Sequence, residues 1–335
     1  MKRRVITTEV KKGTLNVKSD LDQNKSLRPN GFTDYIGQNK VKDQVLTAIK
    51  SAILRDTVPE HILLYGPQGL GKTTMAHIIA NAMQTDLIEV SGPLIEKAGD
   101  IISVLAGKVS EGNVVFIDEI HRMDKKAEEV LYSAMEDQYI NIFVGKMEQQ
   151  RAIHVDLPKF TLVGATTRAG MLSAPLRDRF GLSCKMEFYS KDELAMIILS
   201  AAKKMHLCLE QKDALEIANN SRGTPRIAIA LTKRVRDYAV VNADGIVTTD
   251  TIHAALSLAG VKKDGLHDTD VCLLNELASS SRPIGLATLS RILGEDQGTI
   301  EDVYEPYLLQ KRYIEKTPRG RIITELGKRV LKDKL

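Results

Sequence analysis

The chain of 335 residues is long enough for two or three compact domains, and 43% hydrophobic with 27% charged residues is an ordinary globular composition. No apolar run approaches the roughly 18 residues of a membrane span, and the basic N-terminus lacks the apolar segment of a secretory signal. Three cysteines spaced 24 and 64 residues apart fit neither a zinc site nor a disulfide framework, so we expect a reduced, cytoplasmic protein without membrane contact.

The net charge of +4 is distributed unevenly along the chain. Residues 311–335 carry nine Lys/Arg against three Asp/Glu and residues 1–29 carry eight against three, which leaves the middle at −7. Basic ends on an acidic body favour a polyanionic partner contacted by one end. The alternative is that both ends are only solvated, and it applies most to residues 1–27, which we expect to form a flexible basic tail.

The first predicted domain, residues 28–188, alternates helices and strands. A stripe of apolar residues every four positions predicts an amphipathic helix at Val41, Val45, Ile49 and Ile53. Apolar runs of strand length follow at Ile62–Tyr65, Leu87–Val90, Val114–Ile117 and Phe160–Val163, with helical stretches between them such as Thr73–Met83 and Lys126–Met135. Nearly unbroken runs are typical of strands buried on both faces of a parallel sheet. The alternation predicts a doubly wound α/β domain.

Residues 189–262 show helical signals only. Ser190 and Glu193 fit a capping box that opens a helix over Lys191–Met205. Thr224 followed by Pro225 opens another helix, with proline at the favoured first position. Two further helices are expected at about Lys212–Asn220 and Asp250–Leu258. These segments predict a small α-helical domain.

Residues 263–335 have the pattern of a winged helix. Three helices are expected near Val271–Ser279, Leu286–Leu293 and Ile300–Gln310. Two short extended segments then flank a Thr-Pro-Arg-Gly turn at residues 317–320. Three helices followed by such a hairpin predict a C-terminal winged-helix domain.

The segment from Gly66 to Thr73 fits the phosphate-binding pattern G-x-x-x-x-G-K-[ST], and it lies between a predicted strand and a predicted helix. Glycines let the backbone wrap closely around phosphates, and the N–H groups at the helix N-terminus attract anionic oxygens. Lys72 is expected to reach the β- and γ-phosphates and Thr73 to ligate Mg²⁺. The sequence therefore predicts ATP with Mg²⁺, and ATP hydrolysis. The expected ATP contacts of this loop are Gly66, Gly69, Leu70, Gly71, Lys72, Thr73 and Thr74.

A second acidic element supports this prediction. The apolar run at 114–117 ends in Asp118 and Glu119, 46 residues after Lys72. Asp118 is expected to hold Mg²⁺, and Glu119 to orient or deprotonate the attacking water. An Asp-Glu pair at this place favours an ATPase over a kinase or a small GTPase.

Three other positions are candidates with ordinary alternatives. Thr166 follows a strand and could touch the γ-phosphate, although threonines at strand ends are common. Arg177 and Arg179 lie near a helix end, where surface arginines are frequent. Arg226 lies at a helix N-terminus, where a cation opposes the helix dipole and so suggests a nearby anion.

Together these features resemble an AAA+ ATPase, and longer motifs resemble the RuvB family of bacterial Holliday-junction branch-migration motors. The resemblance runs from about Leu27 to about Thr324. The motifs are Asp118-Glu119-Ile120-His121-Arg122, Gly164-Ala165-Thr166-Thr167-Arg168-Ala169-Gly170, Pro175 to Gly181, Arg222-Gly223-Thr224-Pro225-Arg226 and Thr317-Pro318-Arg319-Gly320-Arg321.

The resemblance implies roles that the residues alone leave open. Thr166 would be sensor 1, Arg179 the arginine finger acting on ATP in a neighbouring subunit, and Arg226 sensor 2. It also implies further nucleotide contacts at Leu27, Arg28, Tyr189, Glu136, Asp137 and Gln138. In the wing, it implies DNA-backbone contacts at Lys316, Arg319 and Arg321.

It also implies a P-loop AAA+ core, a lid and a winged helix that form a homo-hexameric ring on DNA. ATP hydrolysis would drive branch migration of four-way junctions in recombination and repair, with RuvA docked on the hairpin 139–155 and RuvC in the wider complex. The alternative is another AAA+ machine, a clamp-loader-like switch or a protein remodeller, although a remodeller needs an aromatic pore loop. A third possibility is a winged-helix regulator switched by its ATPase core, which would need sequence-specific base contacts.

Overall fold

The computed structural model describes residues 27–144 and 151–332. The predicted basic tail before Leu27 and the tip of the predicted hairpin, residues 145–150, lie outside the described residues. Within the described ranges no helix is both long enough and apolar enough to cross a membrane.

A five-stranded parallel sheet with strand order β2-β3-β6-β1-β7 forms the centre of the first domain. Its strands are β1 Ile62–Tyr65, β2 Leu87–Ser91, β3 Val114–Asp118, β6 Thr161–Thr166 and β7 Leu182–Lys185. A separate antiparallel pair is formed by β4 Tyr139–Val144 and β5 Arg151–Asp156. The central strands are buried almost throughout because helices cover both faces of the sheet. The predicted α/β core is confirmed.

Helices surround this sheet and position its loops. They are α1 Asn39–Leu54, α2 Lys72–Met83, α3 Ala98–Lys108, α4 Lys125–Glu136 and the short α5 Ala174–Asp178. One apolar core lies under α1 and α2, and another under α3, α4 and α5. Strand β1 feeds directly into the loop before α2, so the fold places that loop at the carboxyl edge of the sheet.

The lid is all helical, as predicted. Its helices are α6 Lys191–Lys204, α7 Gln211–Asn219, α8 Pro225–Asn242 and α9 Thr249–Leu258. The capping box of Ser190 and Glu193 at the start of α6 is confirmed. At the start of α8, Thr224 Oγ1 accepts a hydrogen bond from the N–H of Ile227. The apolar core under α1 and α2 continues into this domain, so lid and ATPase domain pack together.

The C-terminal domain is a winged helix with its own core. Its elements are α10 Asp268–Ser279, α11 Leu286–Leu293, α12 Gln297–Thr299, a π-helical turn Ile300–Tyr304, α13 Glu305–Gln310, β8 Ile314–Thr317, β9 Gly320–Ile323 and α14 Glu325–Lys332. A bidentate ion pair between Arg222 and Asp270, both buried, joins this domain to the lid.

Candidate nucleotide and DNA sites

The phosphate-binding loop adopts a conformation that only glycine permits at two critical points. Gly66 has φ 144°, and a Cβ there would lie 2.4 Å from the carbonyl oxygen of Met186. Gly71 has φ 95°, and a Cβ there would lie 2.9 Å from Oη of Tyr35. Side chains at these positions would fill the cradle and strain the backbone. The loop therefore leaves its backbone open to an anionic ligand at the N-terminus of α2.

Lys72, at the start of α2, is folded back over this loop. Its Nζ donates to the carbonyl oxygens of Gly66, at 2.8 Å, and Pro67, at 2.9 Å. Burial lowers the pKa of Lys72, and the negative charges of Glu119 and Asp118 partly oppose that effect. The two carboxylates predicted from the sequence to act at the ATP site, Asp118 and Glu119, therefore favour the charged form of Lys72.

Asp118 and Glu119 lie at the carboxyl end of β3. The Asp118 carboxylate accepts the backbone N–H of Glu119 at 3.0 Å. Glu119 has φ 49°, a left-handed conformation that is unfavourable for a residue with a Cβ. Such strain is characteristic of functional sites that the surrounding fold holds in place.

The next strand end supplies two threonines with different partners. The hydroxyl and backbone N–H of Thr167 point to Oε2 of Glu119, at 3.3 and 3.4 Å. Thr166 is fully buried, and its Oγ1 lies 2.9 Å from Nδ1 of His121 and accepts the backbone N–H of Arg168 at 2.9 Å. Of the two, only Thr167 contacts the glutamate, and the sequence had singled out Thr166 alone.

His121 completes this cluster. Thr166 Oγ1 and His121 Nδ1 share a hydrogen bond in which either atom can donate, depending on the imidazole tautomer. The same Nδ1 lies 3.3 Å from Oε2 of Glu119. Burial lowers the pKa of His121, while the nearby Glu119 carboxylate opposes that shift. The imidazole therefore favours its neutral form, and its Nδ1 lies between the Thr166 hydroxyl and the Glu119 carboxylate.

A pair of buried tyrosines closes the other side of the loop. The hydroxyl of Tyr189 lies 3.0 Å from that of Tyr35 and 3.2 Å from the carbonyl oxygen of Leu70. Burial raises the pKa of Tyr189 to about 12, and that of Tyr35 also rises well above its ordinary value because the residue is buried. The sequence prediction included Tyr189 and Leu70 but missed Tyr35, because no motif or spacing marks it.

The lid contacts both the loop and the start of the described chain. The backbone N–H of Arg226, at the start of α8, donates to Gly69 O at 3.3 Å, and the Arg226 side chain is exposed. Nζ of Lys204 donates to the carbonyl oxygens of Leu27 and Arg28 at 3.4 and 3.2 Å. The first described residues and the C-terminal end of the lid helix α6 are therefore tied together.

Arg179 lies on a different surface. Its guanidinium donates to Glu136 Oε2 at 2.6 Å and to Pro175 O at 2.8 Å, and it stacks 4.6 Å from the centre of the Tyr132 ring. Glu136, Asp137 and Gln138 are exposed next to it. Arg179 and the 136–138 segment therefore form one surface, and within the described part of the chain the hydrogen bonds and ring contact of Arg179 do not involve the phosphate-binding loop.

The three wing cations have different surroundings. Nε of Arg321 donates to Glu305, and its Nη2 to Glu301 at 3.2 Å, with only 12% of the Arg321 side chain exposed. Nζ of Lys316 lies 2.7 Å from the fully buried carboxylate of Glu305. Arg319 is exposed at the turn, and no ion pair involves it within the described part of the chain. The sequence placed all three correctly on the wing but not their pairing.

Only two side chains, those of Thr73 and Asp118, are predicted to ligate Mg²⁺. Over residues 27–144 and 151–332, no cluster of three or more His, Cys, Asp or Glu side chains could by itself hold a metal. Mg²⁺ is commonly held by one or two carboxylates plus substrate phosphates. Asp118, with Thr73 at the second position of α2, fits that mode of binding.

Comparison with known proteins places all three domains in one family. Models described as the Holliday junction DNA helicase RuvB P-loop domain, the RuvB AAA lid domain and the RuvB C-terminal winged helix domain match residues 27–186, 189–262 and 263–332. Together these models account for most of the chain.

Relatives and solved structures agree with this match. The RuvB subunit of the Holliday junction branch migration complex from Fusobacterium nucleatum is 47% identical over 312 residues, covering 92% of this chain and 94% of that protein. The Campylobacter hominis subunit is 51% identical over 300 residues, covering 89% and 88%. The structure of the Thermotoga maritima RuvB branch migration motor superposes with a TM-score of 0.83 at 43% identity, covering 92% of this chain and 98% of that one.

Proposed function

This chain belongs to the RuvB family, and we propose that it is the ATP-hydrolysing motor that drives branch migration of Holliday junctions. One observation carries the proposal: a phosphate-binding loop, with Nζ of Lys72 bonded to the carbonyl oxygens of Gly66 and Pro67, lies in a chain that also carries a winged helix. The first supplies the ATP chemistry, and the second supplies a surface for DNA. A clamp-loader-like switch or a remodeller is not favoured.

The described contacts suggest how the residues divide the reaction. Lys72 exchanges the carbonyl oxygens of Gly66 and Pro67 for phosphate oxygens of ATP, which carry more negative charge. Glu119 gives up its hydrogen bond from the Thr167 hydroxyl and instead orients or deprotonates the attacking water. Thr167 is then free to donate to the γ-phosphate. Mg²⁺, held by Thr73 and Asp118, would neutralise charge that develops on the phosphates.

A role for Thr167 is compatible with the sensor 1 assignment of Thr166 but shifts the direct contact by one residue. Thr166 forms a hydrogen bond with His121 and is fully buried, so we propose that it holds the strand end. Thr167 is the residue that can exchange Glu119 for a phosphate oxygen.

Hydrolysis across a subunit boundary is the second part of the proposal. Arg179 and the exposed 136–138 segment lie on one surface, as expected if they complete the site of an adjacent subunit in a homo-hexameric ring. Arg226 would transmit the nucleotide state to the lid as sensor 2, because α8 already contacts Gly69. Leu27, Arg28, Tyr189 and Tyr35 would enclose the base side of the nucleotide.

Partners and location follow from the family in the same way. We propose that Lys316, Arg319 and Arg321 face the DNA backbone, that the hairpin 139–155 docks on RuvA, and that RuvC joins the wider complex in the cytoplasm. One exposed apolar side chain of this hairpin supports the docking surface: Ile153 on β5 is 49% exposed.

The test measures ATP turnover with and without four-way-junction DNA and linear duplex, together with junction dissociation after RuvA is added. We expect DNA to stimulate turnover and the junction to dissociate only with hydrolysable ATP. Lys72→Ala is the matched control. Stimulated turnover without junction dissociation would favour another AAA+ machine, and turnover that ignores DNA would contradict the proposal.

A further inference from the structure

An arginine of the ATPase domain is locked to the winged helix. Arg168 lies two residues beyond Thr166, and its guanidinium forms a bidentate pair with Asp302: Nε to Oδ1 and Nη2 to Oδ2 are both 2.8 Å. Nη2 also lies 3.5 Å from Gly298 O and 3.6 Å from Glu301 Oε2. The pair spans 134 positions in sequence and joins two domains.

The same acidic face holds the wing cations from its other side. We call Glu301, Asp302 and Glu305 the acidic face. Glu301 shares its carboxylate between Arg168 and Arg321, since one oxygen is near each. Glu305 binds both Arg321 and Lys316 and is fully buried. Three carboxylates therefore meet three cations, one from the ATPase domain and two from the wing.

We propose that Arg168 is a positioning residue. Through its pair with Asp302 it couples DNA binding by the wing to the carboxyl end of β6, where Thr166 and Thr167 lie. This inference rests on the proposed function, because it requires that DNA contacts the wing. It concerns how one chain transmits the presence of DNA to its own ATP site.

The charge balance gives the direction of the effect. DNA phosphates compete with Glu301 for Nη2 of Arg321, while Nε of Arg321 and Nζ of Lys316 stay paired with the buried Glu305. When Nη2 of Arg321 turns to a phosphate, Glu301 retains Arg168 as its cation, and the attachment of Arg168 becomes stronger. DNA bound to the wing therefore strengthens the ion pairing of Arg168 with the acidic face. By reciprocity, a substitution of Arg168 changes the affinity of the wing for DNA.

The backbone connects the ion pair of Arg168 to the ATP site. The N–H of Arg168 donates to Oγ1 of Thr166, and Thr167 between them donates to Glu119. A bidentate guanidinium–carboxylate pair fixes orientation as well as distance. The position of Arg168 therefore constrains the strand end from which Thr167 approaches Glu119.

The experiment compares Arg168→Gln, Asp302→Asn and the exchanged pair Arg168→Asp with Asp302→Arg in the full chain. The quantity measured is the ratio of ATP turnover with duplex DNA to turnover without it. We expect each single variant to lower this ratio about five-fold or more, the lower end of coupling between sites. The exchanged pair should recover a large part of it. Glu315→Gln, which removes an exposed carboxylate from the wing strand β8, is the matched control and should leave the ratio and the basal rate unchanged.

Rescue by the exchanged pair shows that the loss comes from the Arg168–Asp302 pair itself, and wild-type turnover without DNA in the single variants separates coupling from general damage. Single variants with the wild-type ratio would overturn the inference, and so would a loss that the exchange does not restore. A wild-type chain whose turnover ignores DNA would instead overturn the proposed function. If wild type responds to DNA and the variants respond equally, only the role of Arg168 fails.

Discussion

The hydroxyl of Thr167 lies 3.3 Å from Oε2 of Glu119, whereas that of the adjacent Thr166 lies 2.9 Å from His121. Since the two side chains differ in partner, they should differ in effect. We expect Thr167→Val to reduce ATP turnover at saturating ATP by about ten-fold or more, the effect of losing one transition-state contact of about 1.4 kcal/mol.

Thr166→Val is the matched control for that prediction. It removes a buried hydroxyl and leaves the N–H of Arg168 and Nδ1 of His121 without their partner, so its main expected effect is a loss of stability of about 1–3 kcal/mol. Steady-state turnover and denaturant unfolding of both variants separate the two roles. The reverse pattern would return the phosphate contact to Thr166.

Lys72 and Glu119 should separate binding from hydrolysis. Lys72→Ala removes the ammonium that the loop presents to phosphates, so nucleotide affinity should fall. Glu119→Gln keeps the shape of the side chain but cannot accept a proton, so ATP should bind while turnover is lost. Nucleotide binding by fluorescence and phosphate release test both. Wild-type turnover in Glu119→Gln would remove Glu119 from its assigned role.

The fold was largely predictable because the spacing of apolar residues along the chain indicates which faces of helices and strands are buried. Four of the five sheet strands were predicted from short apolar runs, three of them nearly unbroken, and the helical lid shows explicit caps. Strand β7 was missed because Leu182–Lys185 is a short edge strand in which only Cys184 is buried. The π-helical turn was also missed, since Ile300–Tyr304 has an ordinary helical sequence.

The site was predictable where the sequence carries a motif, and less so where contacts are distant in sequence. Tyr35 reaches the loop through a hydroxyl pair with Tyr189, a partner 154 residues away. Arg168 and Asp302 lie 134 residues apart. Charge counts could place Lys316 and Arg321 on the wing, but only packing reveals Glu305 buried between them.

His121 predicts an acid limb in the pH dependence of turnover. Burial lowers its pKa below the ordinary value of 6.5, against the attraction of Glu119 and Asp302, while Arg168 and Arg122 favour the neutral ring. The neutral form predominates at pH 7. As pH falls through the lowered pKa, the ring becomes positively charged 3.3 Å from Glu119 and forms an ion pair with the carboxylate assigned to the attacking water, so turnover should fall.

The pH test compares wild type with His121→Gln and His253→Gln from pH 8 to about pH 5. The pKa of His121 is lowered in the folded chain, so the stabilising contribution of the neutral ring is present above 6.5 and is lost as pH falls through the folded pKa. His121→Gln should weaken the acid limb. His253 is exposed and pairs with Glu216, so His253→Gln should retain the acid limb of the wild type. Equal limbs in all three proteins would exclude His121.

Arg179 should act on a neighbouring subunit. Arg179→Ala should still bind ATP, because its recorded partners lie away from the loop, but turnover should fall by about 10³-fold or more. Mixing it with Lys72→Ala, which keeps Arg179, should restore some turnover. Arg177→Ala, an exposed neighbour, is the matched control. Mixed rings that form without rescue would argue against action between subunits.

Arg319 and Arg321 should separate DNA affinity from stability. Arg319 is exposed at the tip, so Arg319→Ala should flatten the slope of log affinity against log salt by about 0.9 and weaken different duplexes alike. In the free protein Arg321 neutralises the buried Glu305, and Lys316 is that carboxylate's other cation. Arg321→Ala should therefore lower the free energy of unfolding by about 3 kcal/mol.

Each arginine variant is the control for the other, because both remove one positive charge from the wing. Arg319→Ala should change the free energy of unfolding by less than about 0.5 kcal/mol, as expected for an exposed side chain without an ion pair. Basal ATP turnover should persist in Arg319→Ala, because the turn is remote from Lys72. Salt-dependent DNA binding and urea unfolding of both proteins decide the matter. An unchanged salt slope in Arg319→Ala would place the DNA contact elsewhere, and wild-type stability in Arg321→Ala would show that Lys316 alone neutralises Glu305.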